Sequence, residues 1–452
     1  MKSNTGEIWR FLVFSKMNDR TIYDRIGVAE YSYYFVLKSF VPMLERFGEV
    51  ILVDNNEEAN KHYLESKCDG VRCILFCFSP PHNLLVDIEC LVVPVFAWEF
   101  DTIPNVSLEQ GNSTLDWVSV LDKCRLAITH SKYSKKAVKR ALSGDRPIFA
   151  IPSPVWDNQS VPRKKILFSK PTKSFTLEFK GECLDSHFID TDQLDQQHGE
   201  QRKKGIEPNE LFAGKPNLSG DVAQKSVPGR GVKVVLSGAV YTSIFNPYDY
   251  RKNWEAMITA FFYAFRHRRD ATLLIKISAN HYAAFTDRVV DMLRRLEPYQ
   301  CRIVVIYGFL ETYQYQKLMV GSTYYVNTSF SEGQCLPLME FLSAGVPAIA
   351  PRSSALSEYV YPWNAFVLRS HPEPTHWQHD PREKFRATHY RVEWQALVNA
   401  YKTSYMVTKI WALPIYKVLQ LGAVITLKFH CSINSCAGKF KKVLNEIVVS
   451  RS

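Results

Sequence analysis

Short apolar runs alternate with helix-length stretches in two separate blocks, and this alternation constrains the fold more than any other feature. In the first block, from about Gly6 to Trp156, the runs are Arg10–Phe14, Val50–Val53, Cys73–Phe78, Val92–Trp98, Leu126–Thr129 and Ile148–Ile151. Helix-like stretches such as Ala29–Phe47 and Lys132–Leu142 separate them. The second block begins near Val232, with runs at Val232–Leu236, Thr272–Ile277, Ile303–Ile306, Tyr324–Val326, Ala348–Ala350 and Phe366–Leu368. Helical patterns at Trp254–His267, Ala283–Leu296, Glu311–Val320, Leu336–Ala344 and Ser354–Tyr359 lie between them. Strands joined by helices are parallel, and the crossover helices cover both faces of the sheet, so the strands read as apolar throughout. The prediction is an α/β protein of two doubly wound domains facing each other. At 46% hydrophobic and 22% charged residues, the composition excludes a mainly disordered chain and a disulfide mini-scaffold.

Four segments follow from this pattern: an amino-terminal domain (1–156), a polar insertion (157–231), a second domain (232–405) and a basic terminal segment (406–452). The insertion carries the polar run 192–205 and several Pro/Gly breaks. A loop this long is unusual inside one compact domain, so partial disorder is expected. Short strands are expected around Lys165–Phe168 and Phe175–Phe179. The ten cysteines are scattered with no CxxC pair, which reads as free thiols. The short apolar start, Ile8–Phe14, contains Arg10 and reads as a strand rather than an export signal. The expected compartment is cytoplasmic, and the sequons at Asn105, Asn112, Asn158, Asn217 and Asn327 are then chance matches.

The densest chemistry lies in Asn327-Thr-Ser-Phe-Ser-Glu-Gly-Gln-Cys-Leu-Pro-Leu-Met-Glu-Phe-Leu-Ser-Ala-Gly-Val-Pro. A strand over Tyr324–Val326 ends in a polar turn, and a helix opens near Cys335. Pro337 falls in the first turn, where its missing N–H is not needed. Gly345 suits a left-handed stop, and Pro347 bars continuation. In an open α/β sheet such a turn lies at the carboxyl edge, where ligands bind. The N–H groups of Gly333, Gln334, Cys335 and Leu336 form an anion-binding nest suited to a diphosphate. Glycine at 333 permits close backbone approach. Glu332 and Glu340 stand eight residues apart, and carboxylates accept hydrogen bonds from sugar and ribose hydroxyls. On this pattern alone, Glu340 also reads as an ordinary helix-surface residue.

The segment Ser331–Pro347, Ser-Glu-Gly-x-x-Leu-Pro-x-x-Glu-x-x-x-x-Gly-x-Pro, resembles the E-x7-E signature of retaining nucleotide-sugar glycosyltransferases of family four (the group 1 transferases). The resemblance implies the GT-B fold, two facing Rossmann-like domains. It also implies transfer of a sugar from a nucleoside-diphosphate sugar to an acceptor hydroxyl, with retention of configuration and no metal or other cofactor. Glu332 would then hold donor-sugar hydroxyls and Glu340 the ribose. Ser353-Ser-Ala-Leu-Ser-Glu-Tyr-Val is similar to the family's G-G-x-x-E helix, with serine and alanine in place of the glycines. Asn246-Pro-Tyr-Asp-Tyr-Arg-Lys-Asn-Trp resembles the basic segment before the first helix of the donor domain. Lys252 takes the phosphate-contacting role there, and Arg251 a second charge. The family's Gly-Arg is absent; Gly238-Ala-Val-Tyr stands at that strand.

Tyr307-Gly308-Phe309-Leu310 looks like the loop beside the nucleobase. In the first block, Gly27-Val-Ala-Glu-Tyr-Ser-Tyr-Tyr resembles the glycine turn near acceptor and diphosphate. Phe96-Ala-Trp-Glu-Phe-Asp-Thr-Ile-Pro offers Glu99 and Asp101 as acceptor-side candidates, and His130 ends another strand. The resemblance covers about Gly6–Trp156 and Val232–Tyr405. In it, the helix amides and Lys252 stabilise charge on the leaving diphosphate. A non-catalytic sugar-nucleotide-binding scaffold and a nucleotide-sugar epimerase of the same fold are the alternatives. The expected partners are a nucleotide sugar and a glycan or lipid-linked acceptor, in glycan or surface-polysaccharide synthesis.

The net charge of +11 is uneven. From Tyr401 onward there are eight basic residues and one acid, Glu446. No nucleic-acid-binding signature accompanies them, so no nucleic-acid partner is expected. Trp411–Leu427 is largely apolar but too short and polar for a secure span. Either it lies on an anionic membrane surface with lysines by the headgroups, or it packs back across the amino-terminal domain.

Overall fold

A computed structural model describes residues 8–18, 22, 27, 30–85, 87–105, 116–189, 231–279, 282–377, 380 and 382–449. Most of the polar insertion, residues 190–230, lies outside them, as do the sequons at Asn112 and Asn217 and part of the turn after Gly27.

Each apolar run of the first block forms a strand. The elements run β1 (Trp9–Phe14), α1 (Tyr31–Leu44), β2 (Glu49–Leu52), α2 (Asn56–Cys68), β3 (Arg72–Phe78), β4 (Leu91–Phe96), α3 (Trp117–Leu121), β5 (Ala127–Thr129), α4 (Lys132–Ala141) and β6 (Ile148–Ala150). The strands form one parallel sheet in the order β2-β1-β3-β4-β5-β6. Phe11, Val13, Phe76, Val93 and Val95 are fully buried, as expected for strands covered on both faces. Polar side chains begin the helices: Asn55 accepts from the Glu58 N–H at 2.9 Å, and Ser131 from that of Ser134 at 3.1 Å.

The second block contains α5 (Ser160–Leu167), β7 (Phe175–Lys180), β8 (Glu182–Asp185), β9 (Gly231–Leu236), β10 (Ala239–Phe245), α6 (Trp254–Phe265), β11 (Ala271–Ile277), α7 (Tyr282–Leu296), β12 (Arg302–Tyr307), α8 (Thr312–Gly321), β13 (Tyr324–Val326), α9 (Leu336–Ala344), β14 (Ala348–Pro351) and β15 (Ala365–Leu368). After them come the hairpin β16 (Ser370–Thr375) and β17 (Ala387–Val392), then α10 (Trp394–Val407), α11 (Leu413–Cys431) and α12 (Ile433–Val449). The main sheet has the order β15-β14-β13-β10-β11-β12-β8 and is parallel except for β8. Its order reverses between β10 and β13. Loops leaving those two strands diverge to opposite sides, which opens a crevice at their carboxyl ends.

Two expected strands are corrected. Val232–Leu236 does not start the parallel sheet; as β9 it pairs antiparallel with β7 in a separate ribbon. The first parallel strand is β10, whose apolar run is broken by Thr242 and Ser243. Both are buried, and the Thr242 hydroxyl is 2.7 Å from that of Ser322, which removes the cost of burying it. Lys165–Phe168 is not a strand but the end of α5, whereas the expected strand at Phe175–Phe179 is β7. Residues expected as linker thus supply α5, β7 and the edge strand β8.

The chain end crosses between the halves. Helix α11 packs against α5, α9 and α10. Helix α12 packs on α1 in the other half, and Phe440 enters its core at ring-centroid distances of 5.3–5.8 Å from Phe47, Phe76 and Phe11. The Asp157 carboxylate accepts from the Ile433 N–H at 2.6 Å where the chain turns into this last helix. All ten cysteines are free.

Candidate active site

The chemistry gathers where β10 and β13 diverge. After β10 the chain makes a short turn of 3-10 helix at Tyr250–Lys252, begun by Asp249, whose carboxylate accepts the Arg251 N–H at 3.3 Å. Asn253 follows with φ 50°, and α6 starts. This tight turn aims both cations at the loop after β13. There the Lys252 ammonium donates to Glu332 Oε1 at 2.7 Å, and the Arg251 guanidinium lies 3.8 Å from Glu332 Oε2. Arg251 also donates to the Ser331 carbonyl at 2.7 Å and pairs with Asp249 and Glu99. The second sequence-derived cation therefore stands beside the first.

Burial works against the charged form of each of these groups, and their mutual pairing outweighs it. For Glu332, burial pushes the carboxyl up, but Lys252 and Arg251 outweigh it and hold it below the usual carboxylate range. Burial works against the Lys252 ammonium, yet Glu332 more than restores it. Arg251 is likewise raised by Asp249, Glu99 and Glu332 against the cost of burial. Glu340 differs. Burial raises it to about 7, because its one partner among the described residues is the neutral Tyr315 hydroxyl, which donates at 2.7 Å.

The turn into α9 is built as an amide nest. Cys335 begins the helix with φ 55°, Pro337 falls in its first turn, and Gly345 ends it at φ 92°. Among the described residues, the N–H groups of Gly333, Gln334 and Cys335 donate to no protein acceptor. Two side chains of this turn face the other half of the molecule. Gln334 Oε1 accepts the Ser153 N–H at 3.2 Å, and Leu336 packs against both cores. At Gly333 a Cβ would lie 2.9 Å from the Trp98 nitrogen, so glycine is needed for contact between the halves as well as for open backbone.

The acceptor-side candidates also sit on this seam. Glu99 pairs with Arg251 at 2.8 Å, and its carbonyl accepts the Ser331 hydroxyl. Asp101 accepts the Thr388 N–H at 2.7 Å. Gly27, at φ 80°, lies so close to the end of β11 that a Cβ would be 2.2 Å from Ala279 Cα. Gly308, at φ 137°, abuts the Lys180 carbonyl, and Phe309 packs with Met17, Ile22 and Tyr34 of the first half. His130 is not at an exposed cleft edge. It is 1% exposed, Nδ1 lies 3.1 Å from the Ile151 carbonyl, and Nε2 has no partner among the described residues. Burial lowers its pKa to about 4, so the ring is neutral.

Four site residues escaped sequence reasoning. Asp249 had a signal, a capping position two residues before Arg251. Ser354 adopts φ 46°, and its hydroxyl accepts the Glu332 N–H at 2.9 Å. It stands where the resembling motif carries glycine, and the motif's glutamate, Glu358, accepts the first amides of α4 at 2.6 and 3.3 Å. Tyr315 had no local signal, being 25 residues from Glu340. Lys276 ends a strand that otherwise reads as core. It is 6% exposed, lies 3.1 Å from the Ser278 hydroxyl, and burial lowers its pKa to about 8. By strand alternation it shares a sheet face with Leu274, the face covered by α9.

Beneath the Lys252–Glu332 pair lies a cavity of about 10 Å³ lined by Ser243, Ile244, Tyr325, Asn327 and Ser329. Such a space has room for about one water. The halves are closed on each other by Glu99–Arg251, Asp101–Thr388 and the Thr102 hydroxyl, which donates to the Arg386 carbonyl at 2.7 Å.

No protein-family profile matches this sequence, and no curated protein does. Solved structures do match. A glycosyltransferase from Rickettsia africae is similar over 98% of this chain and 99% of its own, at 12% identity and a TM-score of 0.52. HepE of Anabaena, in complex with UDP, is similar over 97% and 99%, at 12% identity and a TM-score of 0.51. TarM of S. aureus, bound to fondaparinux, α-GlcNAc-glycerol and UDP, gives 11% identity and a TM-score of 0.48; this chain spans 55% of it. The near-complete mutual coverage of the first two, with the two facing sheets and the crossing last helices, shows that this chain has the GT-B fold.

Proposed function

We propose that this protein is a glycosyltransferase that moves a sugar from a nucleoside-diphosphate sugar to an acceptor hydroxyl, with retention of configuration. The observation that carries the reading is the cluster at the switch point. An ionised Glu332, two cations and an amide nest converge at the carboxyl edge of the second sheet. In this reading the nest and Lys252 take the diphosphate, and the charge that develops on it as the sugar leaves is met by groups already fixed in place. Arg251 joins once the phosphates displace Glu99. Glu332 turns to the sugar hydroxyls, and Glu340 holds the ribose. Glu99 and Asp101 face the acceptor after the halves part, because donor entry requires hinge opening; His130 stays buried within the first half. HepE has been solved with UDP and with UDP-glucose, which favours a uridine diphosphate donor. The acceptor class is a glycan or a lipid-linked sugar.

A second reading, a sugar-nucleotide-binding scaffold, draws on the pairing of Arg251 with the protein's own Glu99 and Asp249. Screening UDP-, GDP- and ADP-sugars by thermal shift, followed by assay for donor hydrolysis, separates the two. A bound donor at 100-fold excess over Kd adds about 2.7 kcal/mol of stability. Binding with slow release of nucleoside diphosphate supports the transferase. Binding with no turnover under any acceptor supports the scaffold.

A further inference from the structure

Helix α11 carries apolar side chains on two faces, and one of them is unpartnered. Its inner face, with Tyr416, Leu419, Ala423 and Leu427, is buried against the second domain. On the outer face, Ile415, Val418, Leu421, Ile425 and Phe429 recur at three- and four-residue spacing, with Trp411 one turn earlier. Trp411 and Phe429, at the two ends, are 69% and 74% exposed, and the four between them 51–59%. At 1.5 Å per residue, this strip is about 27 Å long. Trp363 widens it. Its carbonyl would lie 2.0 Å from a Cβ at Gly422, its indole N–H donates to Thr426 at 3.0 Å, and about half of its surface is exposed. Phe168, at the end of neighbouring α5, is exposed between two carbonyls that accept from Lys417.

Along this stretch of chain the charge has one sign, and the acid near its start, Asp270, is paired with Lys409 at 3.6 Å. No acid occurs between Tyr401 and Asn445. Lys428 on α11 and Lys164 and Lys165 on α5 are exposed beside it. An apolar strip running from Trp411 to Phe429, with Trp363 alongside and lysines flanking it, matches a helix lying in the boundary between lipid headgroups and acyl chains. A second copy of this chain fits worse, since it would bring lysines to lysines with no acid between them. We propose that the outer face of α11, with Trp363 and Phe168, docks this protein on an anionic bilayer surface. Lys164, Lys165 and Lys428 then lie beside the lipid phosphates. No helix among the described residues is long and apolar enough to cross a membrane, so the contact is with one leaflet. This inference stands independently of the donor site.

Flotation of the full chain with phosphatidylcholine vesicles, with and without phosphatidylglycerol, tests it at low and high salt. The protein floats with the phosphatidylglycerol vesicles at low salt, and salt weakens the binding. A Val418→Asp/Ile425→Asp double variant stays at the bottom, with an unchanged melting temperature because both side chains face solvent. Phe429→Ser weakens flotation in the same direction. Lys428→Gln lowers partitioning about fivefold, the equivalent of about 1 kcal/mol per basic residue at such a surface. Failure of the unmodified protein to float at low salt overturns the proposal, as does equal flotation of the double variant. A concentration-dependent dimer that the double variant dissolves also overturns it, since a second copy then covers the strip.

Discussion

At the scale of single residues, the site depends on which carboxylates are kept ionised. Glu332 is held charged by two cations, whereas Glu340 titrates near 7. Because folding raises the Glu340 pKa, its proton is bound more tightly in the native state. That contribution to stability is full below the ordinary carboxylate pKa and is lost as pH rises through about 7. Ribose hydroxyls donate to the ionised form, so nucleotide affinity rises over the same window. Calorimetric titration of UDP across neutral pH shows this rise in the unmodified protein and a smaller one in Glu340→Gln, which keeps only the titration of the UDP phosphate. Glu340→Ala weakens UDP binding by about 1.5–3 kcal/mol, the range for hydrogen bonds to a charged group. Glu332→Gln mainly slows sugar transfer, which steady-state kinetics separate from binding. Ser354 gives a different test. Its left-handed backbone costs about 1–3 kcal/mol in a non-glycine residue, and its hydroxyl offsets part of that by holding the Glu332 N–H. Ser354→Gly therefore melts near the unmodified protein, and Ser354→Ala, which keeps the strain and loses the bond, melts lower.

The turn between β13 and α9 sets the site at the scale of elements. Gly333 leaves space for the Trp98 backbone, so Gly333→Val forces the halves apart at the mouth of the nest. Overpacking of this kind costs about 1–3 kcal/mol. The variant melts lower and binds UDP more weakly; an unchanged melting temperature with lost UDP affinity would instead point to the anion site alone. The same turn shows how far the sequence was legible. Leu336–Ala344 was readable to the residue, because Pro337 and Gly345 mark both ends of the helix by local backbone chemistry. Glu332 in the loop and Glu340 on the helix were named through the E-x7-E resemblance, because spacing alone leaves Glu340 an ordinary helix-surface residue. β10 was missed because Thr242 and Ser243 interrupt its apolar run, and their partners lie across the sheet. Tyr315 and Lys276 were missed for a related reason: their meaning comes from packing between elements distant in sequence. The double role of Gly333 was half-read, since the nest is local and Trp98 is not.

At the scale of the whole molecule, the two halves are not independent. The last helix leaves the second domain and plugs the first, with Phe440 fully buried among Phe11, Phe47 and Phe76. Phe440→Ala costs about 3–5 kcal/mol, as large-to-small core changes do. Removal of everything after Tyr405 opens both cores, and chemical denaturation shows a chain without a cooperative transition. Membrane binding is therefore tested by surface substitutions on α11, never by truncation. Closure links the halves to chemistry. Arg251 is held by Glu99 across the seam, and a diphosphate must take its place. Glu99→Gln removes that competitor and raises UDP affinity, read by the same calorimetry; lower affinity in a folded Glu99→Gln protein would contradict the exchange. The central claim is sugar transfer from a nucleoside-diphosphate donor at the Lys252–Glu332 pair. Its most direct test is the release of free nucleoside diphosphate from UDP-, GDP- and ADP-sugars by the unmodified protein and by Lys252→Ala. Release from one donor class, lost in a Lys252→Ala variant that keeps its melting transition, is the predicted result. No release from any donor, or equal release by the variant, would contradict it.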